Sequence, residues 1–96
     1  MKNTAEKESL LYMYRLVIKK SAKKELDNIA DHQFLKIDKA ILGLRENPFP
    51  YPQSIKLKGE AKRRLRAGEY RVVYTVDESE KIVTIYHIRN RREVYR

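Results

Sequence analysis

The sequence predicts an α+β domain: an N-terminal strand, two helices, then a three-stranded antiparallel meander with the helices on one sheet face. Three observations carry this. A short β-branched apolar run stands near the start, an amphipathic helical stripe fills the middle, and the last forty residues switch to a period of two. With 96 residues the chain is long enough for one domain and one core.

The elements follow in order. Leu16-Val17-Ile18, within Tyr14 to Lys19, reads as the first strand. Ser21 is positioned as an N-cap for a short charged helix, Ala22 to Ile29, with Leu26 and Ile29 inward. Asp31 is positioned to cap a second helix, in which Phe34, Ile37, Ile41 and Leu44 recur at spacings of three, four and three. Asn47-Pro48 ends it, and Phe49-Pro50-Tyr51-Pro52 makes a stiff connection. Arg63 to Arg66, Tyr70 to Val76 and Lys81 to Ile88 read as the meander strands, joined at Ala67-Gly68 and at Asp77-Glu78-Ser79-Glu80. Residues 1–12 fit no element and read as a loose extension of a domain spanning 13–96, with Met13 as an alternative start.

Composition narrows the function classes. The net charge is +9, and residues 56–96 hold twelve Lys/Arg against six Asp/Glu, so the cationic half is C-terminal. Such an excess attracts a polyanion but carries neither sequence information nor chemistry. There is no cysteine, so no disulfide or thiolate metal site holds the fold, which suits a reducing cytoplasm. Glu6 and Glu8 interrupt any signal-peptide pattern, and Arg15 breaks an apolar run already too short to span a bilayer.

The densest signal is KRRLRAGEYRVVY, Lys62 to Tyr74. With Ala67-Gly68 as a two-residue turn, Arg64 faces Arg71. Alternation sends Leu65, Tyr70, Val72 and Tyr74 to the core, and Lys62, Arg64, Arg66 and Arg71 to the other face. Like charges directly opposite destabilise a sheet by up to about 1 kcal/mol. A phosphate between the guanidiniums reverses the sign, because arginine forks bind phosphate bidentately. The alternative is an ordinary solvated strand face. The tail, Arg89-Asn90-Arg91-Arg92-Glu93-Val94-Tyr95-Arg96, adds cations and a tyrosine that reads equally as a base-stacking or a packing residue. His32 reads as a surface or cap residue. His87, near Arg89 in the last strand, is the better acid–base candidate of the two histidines, although a structural role is the simpler reading.

LKGEAKRRLRAGEYRVVY followed by IYHIRNRREVYR, together with the opening YRLVIKKSAKKEL, resembles the RelE/ParE toxin superfamily, most closely its RelE-like branch. The resemblance covers about Tyr14 to Arg96. It implies the toxin of a type II toxin–antitoxin system that enters the ribosomal A site and cleaves mRNA without a metal or other cofactor. Its implied partners are a cognate antitoxin, bound in a hetero-oligomer, and the ribosome with its mRNA; a membrane is not among them. Carried over by motif, the implied catalytic residues are Lys62, Arg64, Arg71, Arg91 and Tyr95. Lys56, Lys58, Arg63, Arg66, Arg89 and Arg92 are the further phosphate-binding candidates. Relatives usually have Gly-His where this chain has Arg89-Asn90. The tail arginine is therefore Arg91 or Arg89, with the spacing to Glu-Val-Tyr favouring Arg91. Arginine is a weak general acid, and a lysine must lose its proton before it can act as a base, so the implied chemistry depends on the ribosome to orient the RNA. The alternatives are a ParE-like inhibitor of DNA gyrase without catalysis, and a basic RNA- or ribosome-binding module.

Overall fold

A computed structural model describes residues 13–91. β1 (Arg15–Ile18) leads directly into α1 (Lys20–Asp27) and α2 (Asp31–Gly43). Four strands follow: β2 (Ser54–Lys56), β3 (Arg63–Ala67), β4 (Tyr70–Asp77) and β5 (Ile82–Asn90). They form one five-stranded sheet in the order β1-β5-β4-β3-β2, antiparallel except for the β1–β5 pair. The α+β layout and the helix-covered sheet face are as the sequence predicts. The sheet is larger than the predicted meander at both edges, because β1 joins it beside β5 and β2 pairs with β3.

The core lies between the two helices and the face carrying Leu65, Ala67, Val72, Tyr74, Val83, Ile85 and Ile88. Ala22 and Leu26 from α1, and Ile37 and Ile41 from α2, are buried against it, as is Leu44 just beyond. Phe34 and Ile29 pack at its margin. Both helices begin without a side-chain cap, at Lys19 and at Ala30, which corrects the capping roles expected of Ser21 and Asp31. Since β1 runs almost without pause into α1, Ser21 already lies inside the first turn, and its hydroxyl donates to the carbonyl of Tyr86 (3.1 Å) instead. Asp31 is the first residue of α2, where its carboxylate favours the positive end of the helix dipole.

The hairpin turn is also one residue later than expected. The pairs are Ala67 with Tyr70, Arg66 with Arg71, Leu65 with Val72 and Arg64 with Val73, so the two-residue turn is Gly68-Glu69. The reason is conformational. Tight turns matching the twist of a hairpin require a positive φ at their first central residue, which alanine resists and glycine adopts freely. Gly68 sits there with φ +61°. The shift changes each pairing partner by two, so every side chain keeps its face, while the like-charge pair becomes Arg66–Arg71.

A buried polar relay ties the connection after α2 to the sheet. The guanidinium of Arg63 can only donate and the carbonyl of Pro48 can only accept, which fixes every direction between them. Arg63 Nε donates to Ser54 Oγ (2.9 Å), Ser54 Oγ donates to Tyr74 Oη in a short contact, and Tyr74 Oη donates to Pro48 O (2.7 Å). Tyr74 is fully buried. At the β4–β5 turn, the Glu80 amide and the Ser79 hydroxyl donate to Asp77, holding its carboxyl below the usual carboxylate range.

Tyr74→Phe should therefore cost about 1–3 kcal/mol, because Ser54 and Pro48 lose their shared buried partner. Chemical denaturation measures this, and a change within a few tenths of a kcal/mol would show the relay to be energetically idle.

Candidate phosphate-binding face

The sheet face away from the helices carries the basic residues. The pairings run from Gln53, whose carbonyl accepts the Arg66 amide (2.9 Å), through Arg66 and Arg71 to Arg89. Three guanidinium-bearing residues thus stand in one cross-strand row on β3, β4 and β5. Arg64 lies in the next row, opposite Val73, with His87 on the far side of Val73. Arg64, Arg66 and Arg71 line a cleft of about 130 Å³ whose remaining walls are Pro52, Gln53 and Ile55.

Arg71 is the unusual member, with only 7% of its surface exposed. Its Nη1 donates to the carbonyls of Gly68 (3.3 Å) and Tyr70 (3.1 Å), capping the hairpin it belongs to. Its Nε is a buried donor without a hydrogen-bond partner among the described residues. A buried cation with an unused N–H and an arginine opposite it on each side is unfavourable by itself: an unsatisfied buried donor costs about 1–3 kcal/mol, more when charged. An anion supplies both the missing acceptor and the missing charge.

The other sequence-predicted residues divide by face. Lys62 is half-buried, its Nζ 5.0 Å from the centre of the Tyr86 ring. Tyr86 is the extra residue of a bulge, since Val73 pairs with His87 and Tyr74 with Ile85; Lys19 Nζ approaches the same ring at 6.0 Å. This aromatic flanked by two lysines was not anticipated, because a bulge leaves no periodic trace in sequence. Arg63 lies on the helix-side face, stacked on Phe49 (5.1 Å) and engaged in the relay, so the structure does not bring it to the row. Lys56, its partner on β2, and Lys58, in the following turn, are exposed and also lie outside the cleft.

Arg89 is directly opposite Arg71, and its Nε donates to Glu25 Oε2 of α1 (3.2 Å). Arg91 follows the strand, with its amide bonded to Glu69 O (2.7 Å). The register thus places Arg89, rather than Arg91, beside Arg71. Arg92 and Tyr95 lie outside the described residues. His32 is exposed in the first turn of α2, and His87 is part of the Glu25 cluster.

The family model for the ParE toxin of type II toxin–antitoxin systems matches residues 16–95. The chain belongs to this family, within the RelE/ParE toxin superfamily, and is a toxin of a type II toxin–antitoxin system. Among solved structures it is similar to the RelE chain of the archaeal RelE–RelB complex from Pyrococcus horikoshii OT3. That match has 28% identity and a TM-score of 0.74, covering 82% of this chain and 96% of the other. It is also similar to the isolated RelE toxin of E. coli, at 26% identity and a TM-score of 0.68, covering 85% and 90% respectively. The YoeB/ParE toxin from Agrobacterium tumefaciens shares the fold at 23% identity and a TM-score of 0.69, covering 79% and 96%. No curated protein matches the sequence.

Arg71→Met should hold or raise stability, by up to about 1 kcal/mol or roughly 4–8 °C in melting temperature, since it removes a buried charge and two repulsions. Added inorganic phosphate should raise the melting temperature of the wild type more than that of this variant. A fall of several degrees in Arg71→Met would show that the Nη1 bonds to the hairpin outweigh the repulsion.

Proposed function

We propose that this toxin is a ribosome-dependent mRNA endoribonuclease acting in the cytoplasm, and that the arginine row holds the scissile phosphate. The observation that carries this is Arg71, which lines the cleft, is paired across the sheet with Arg66 and Arg89, and has a buried Nε–H without a partner among the described residues. A surface used only to attract a polyanion has no need of a desolvated cation, whereas preorganised donors at developing negative charge are typically the largest single catalytic term.

In the reaction, a ribose 2′-hydroxyl loses its proton to an unprotonated amine, its oxygen bonds to the adjacent phosphorus to leave a 2′,3′-cyclic phosphate, and the bond to the 5′-oxygen breaks as that oxygen takes a proton from water. Arg71 and, from the next row, Arg64 offset the phosphorane charge, with Arg89 beside Arg71 in the row. Lys62 takes the 2′-hydroxyl proton, and Tyr95 stacks on a neighbouring base. Arg66, Lys56 and Lys58 guide the backbone. Arg63 is assigned to the fold. The solved toxin–antitoxin complexes that contain similar chains support a cognate antitoxin for this toxin, an amphipathic segment that covers the basic face when bound.

The family model's own name favours a second reading, non-catalytic inhibition of DNA gyrase. Two incubations separate them: purified protein with translating ribosomes and mRNA, and protein with gyrase and supercoiled plasmid. The expected result is mRNA cut at ribosome-occupied codons and an intact plasmid. Plasmid breaks with intact mRNA would replace this proposal by the gyrase reading.

Arg71→Ala should lower the cleavage rate about a hundredfold or more. Binding of the wild type to ribosomes should weaken steeply with salt, by about 0.7 log unit of affinity per log unit of salt for each single-strand phosphate neutralised. An affinity indifferent to salt would exclude phosphate tracking.

A further inference from the structure

Beyond Ile85, β5 has no strand on its outer side among the described residues: Ile18–Ile85 is the last β1 pair, and the Lys19 amide bonds Ile85 O (2.9 Å) just beyond it. Here α1 approaches, and Glu25 meets the open edge. Glu25 Oε1 accepts the Ile88 amide (3.1 Å), an otherwise unpaired sheet donor. Glu25 Oε2 accepts Arg89 Nε (3.2 Å), and His87 Nδ1 lies 3.5 Å from Oε1. His87 Nδ1 is also 3.3 Å from an Nη of Arg89. The carboxylate is thus fixed by backbone on one oxygen and grips a side chain of the arginine row with the other.

We infer that Glu25 is a positioning residue for Arg89: it anchors on the β5 edge and holds the guanidinium in one place through Nε, with His87 against an Nη on the same side. The physical need is plain. Arg89 is opposite another arginine, and an exposed arginine is repelled from such a neighbour and free to swing into solvent. A long side chain held in one geometry loses rotamer freedom. A charge-assisted bond to a carboxylate that is itself anchored supplies the restraint in advance of RNA binding. Glu25 engages Nε and His87 meets one Nη, which leaves the other Nη for phosphate.

This inference rests on the proposed nuclease activity. The test compares cleavage by wild type, Glu25→Gln, Arg89→Ala and the double variant, on translating ribosomes with mRNA. Glu25→Gln retains an oxygen for the Ile88 amide, so the fold and melting temperature should hold. Its cleavage rate should fall about tenfold, Arg89→Ala should fall further, and the double variant should match Arg89→Ala alone. In ¹H–¹⁵N spectra, the Arg89 Nε–H signal should stand apart in the wild type and move to the exposed-arginine position in Glu25→Gln. Independent, multiplicative losses would overturn the positioning role, as would an unmoved Nε–H signal. A wild type that cuts no mRNA would overturn the nuclease reading itself, an outcome distinct from cleavage by wild type with independent variants.

Discussion

Gly68 takes a left-handed conformation at the first position of the β3–β4 turn, and the arrangement of the basic face descends from that single torsion. With the turn at Gly68-Glu69, Arg66 and Arg71 stand opposite each other, and β4 carries Arg71 on to face Arg89. A turn two positions out of step would break the row while leaving the core face equally apolar. The glycine is held on the other side too. A Cβ there would lie 3.0 Å from the side chain of Lys36 on α2, so the helix layer crowds the same residue that the turn requires.

Two arginines one strand apart show how surroundings divide one residue type between structure and chemistry. Arg63 meets Ser54 and the Phe49 ring on the helix side, where its Nε is engaged and the tyrosine beyond the serine is fixed. Arg71 is still more buried, yet keeps a donor unused. The first stiffens the loop containing Pro52, which in turn walls the cleft beside the second. Stability gathered at the relay is thereby available to tolerate a strained cluster of charge on the opposite face.

Much of this was legible in the sequence, for identifiable reasons. Alternation assigns Leu65, Val72 and Tyr74 to the core even with the turn placed one residue early, because a register change of two preserves alternation. The helical stripe from Phe34 to Leu44 was equally plain. Ser54 to Lys56 left no strand signal, being three residues that follow a proline-rich connection. The part played by Arg63 was hidden because its partners are distant in sequence, and Tyr86 because a bulge has no period. In the sequence Glu25 is one more charge on a short charged helix. Only the parallel placement of β1, which swings α1 across the β5 edge, reveals what that carboxylate faces.

The two outer strands carry a further consequence, for how the toxin behaves at high concentration. An open sheet edge is a template for another chain, and among the described residues β1 and β2 are the outermost strands of the sheet. Both are short, at four and three residues, and each runs into lysines: Lys19-Lys20 after one, Lys56 and Lys58 at the other. The longest strand is shielded where it outruns β1, by the carboxylate of Glu25 on its exposed amide. Copies of the protein thus meet brief, positively charged borders that repel one another, which disfavours edge-to-edge stacking into fibres and leaves the same borders attractive to an acidic strand.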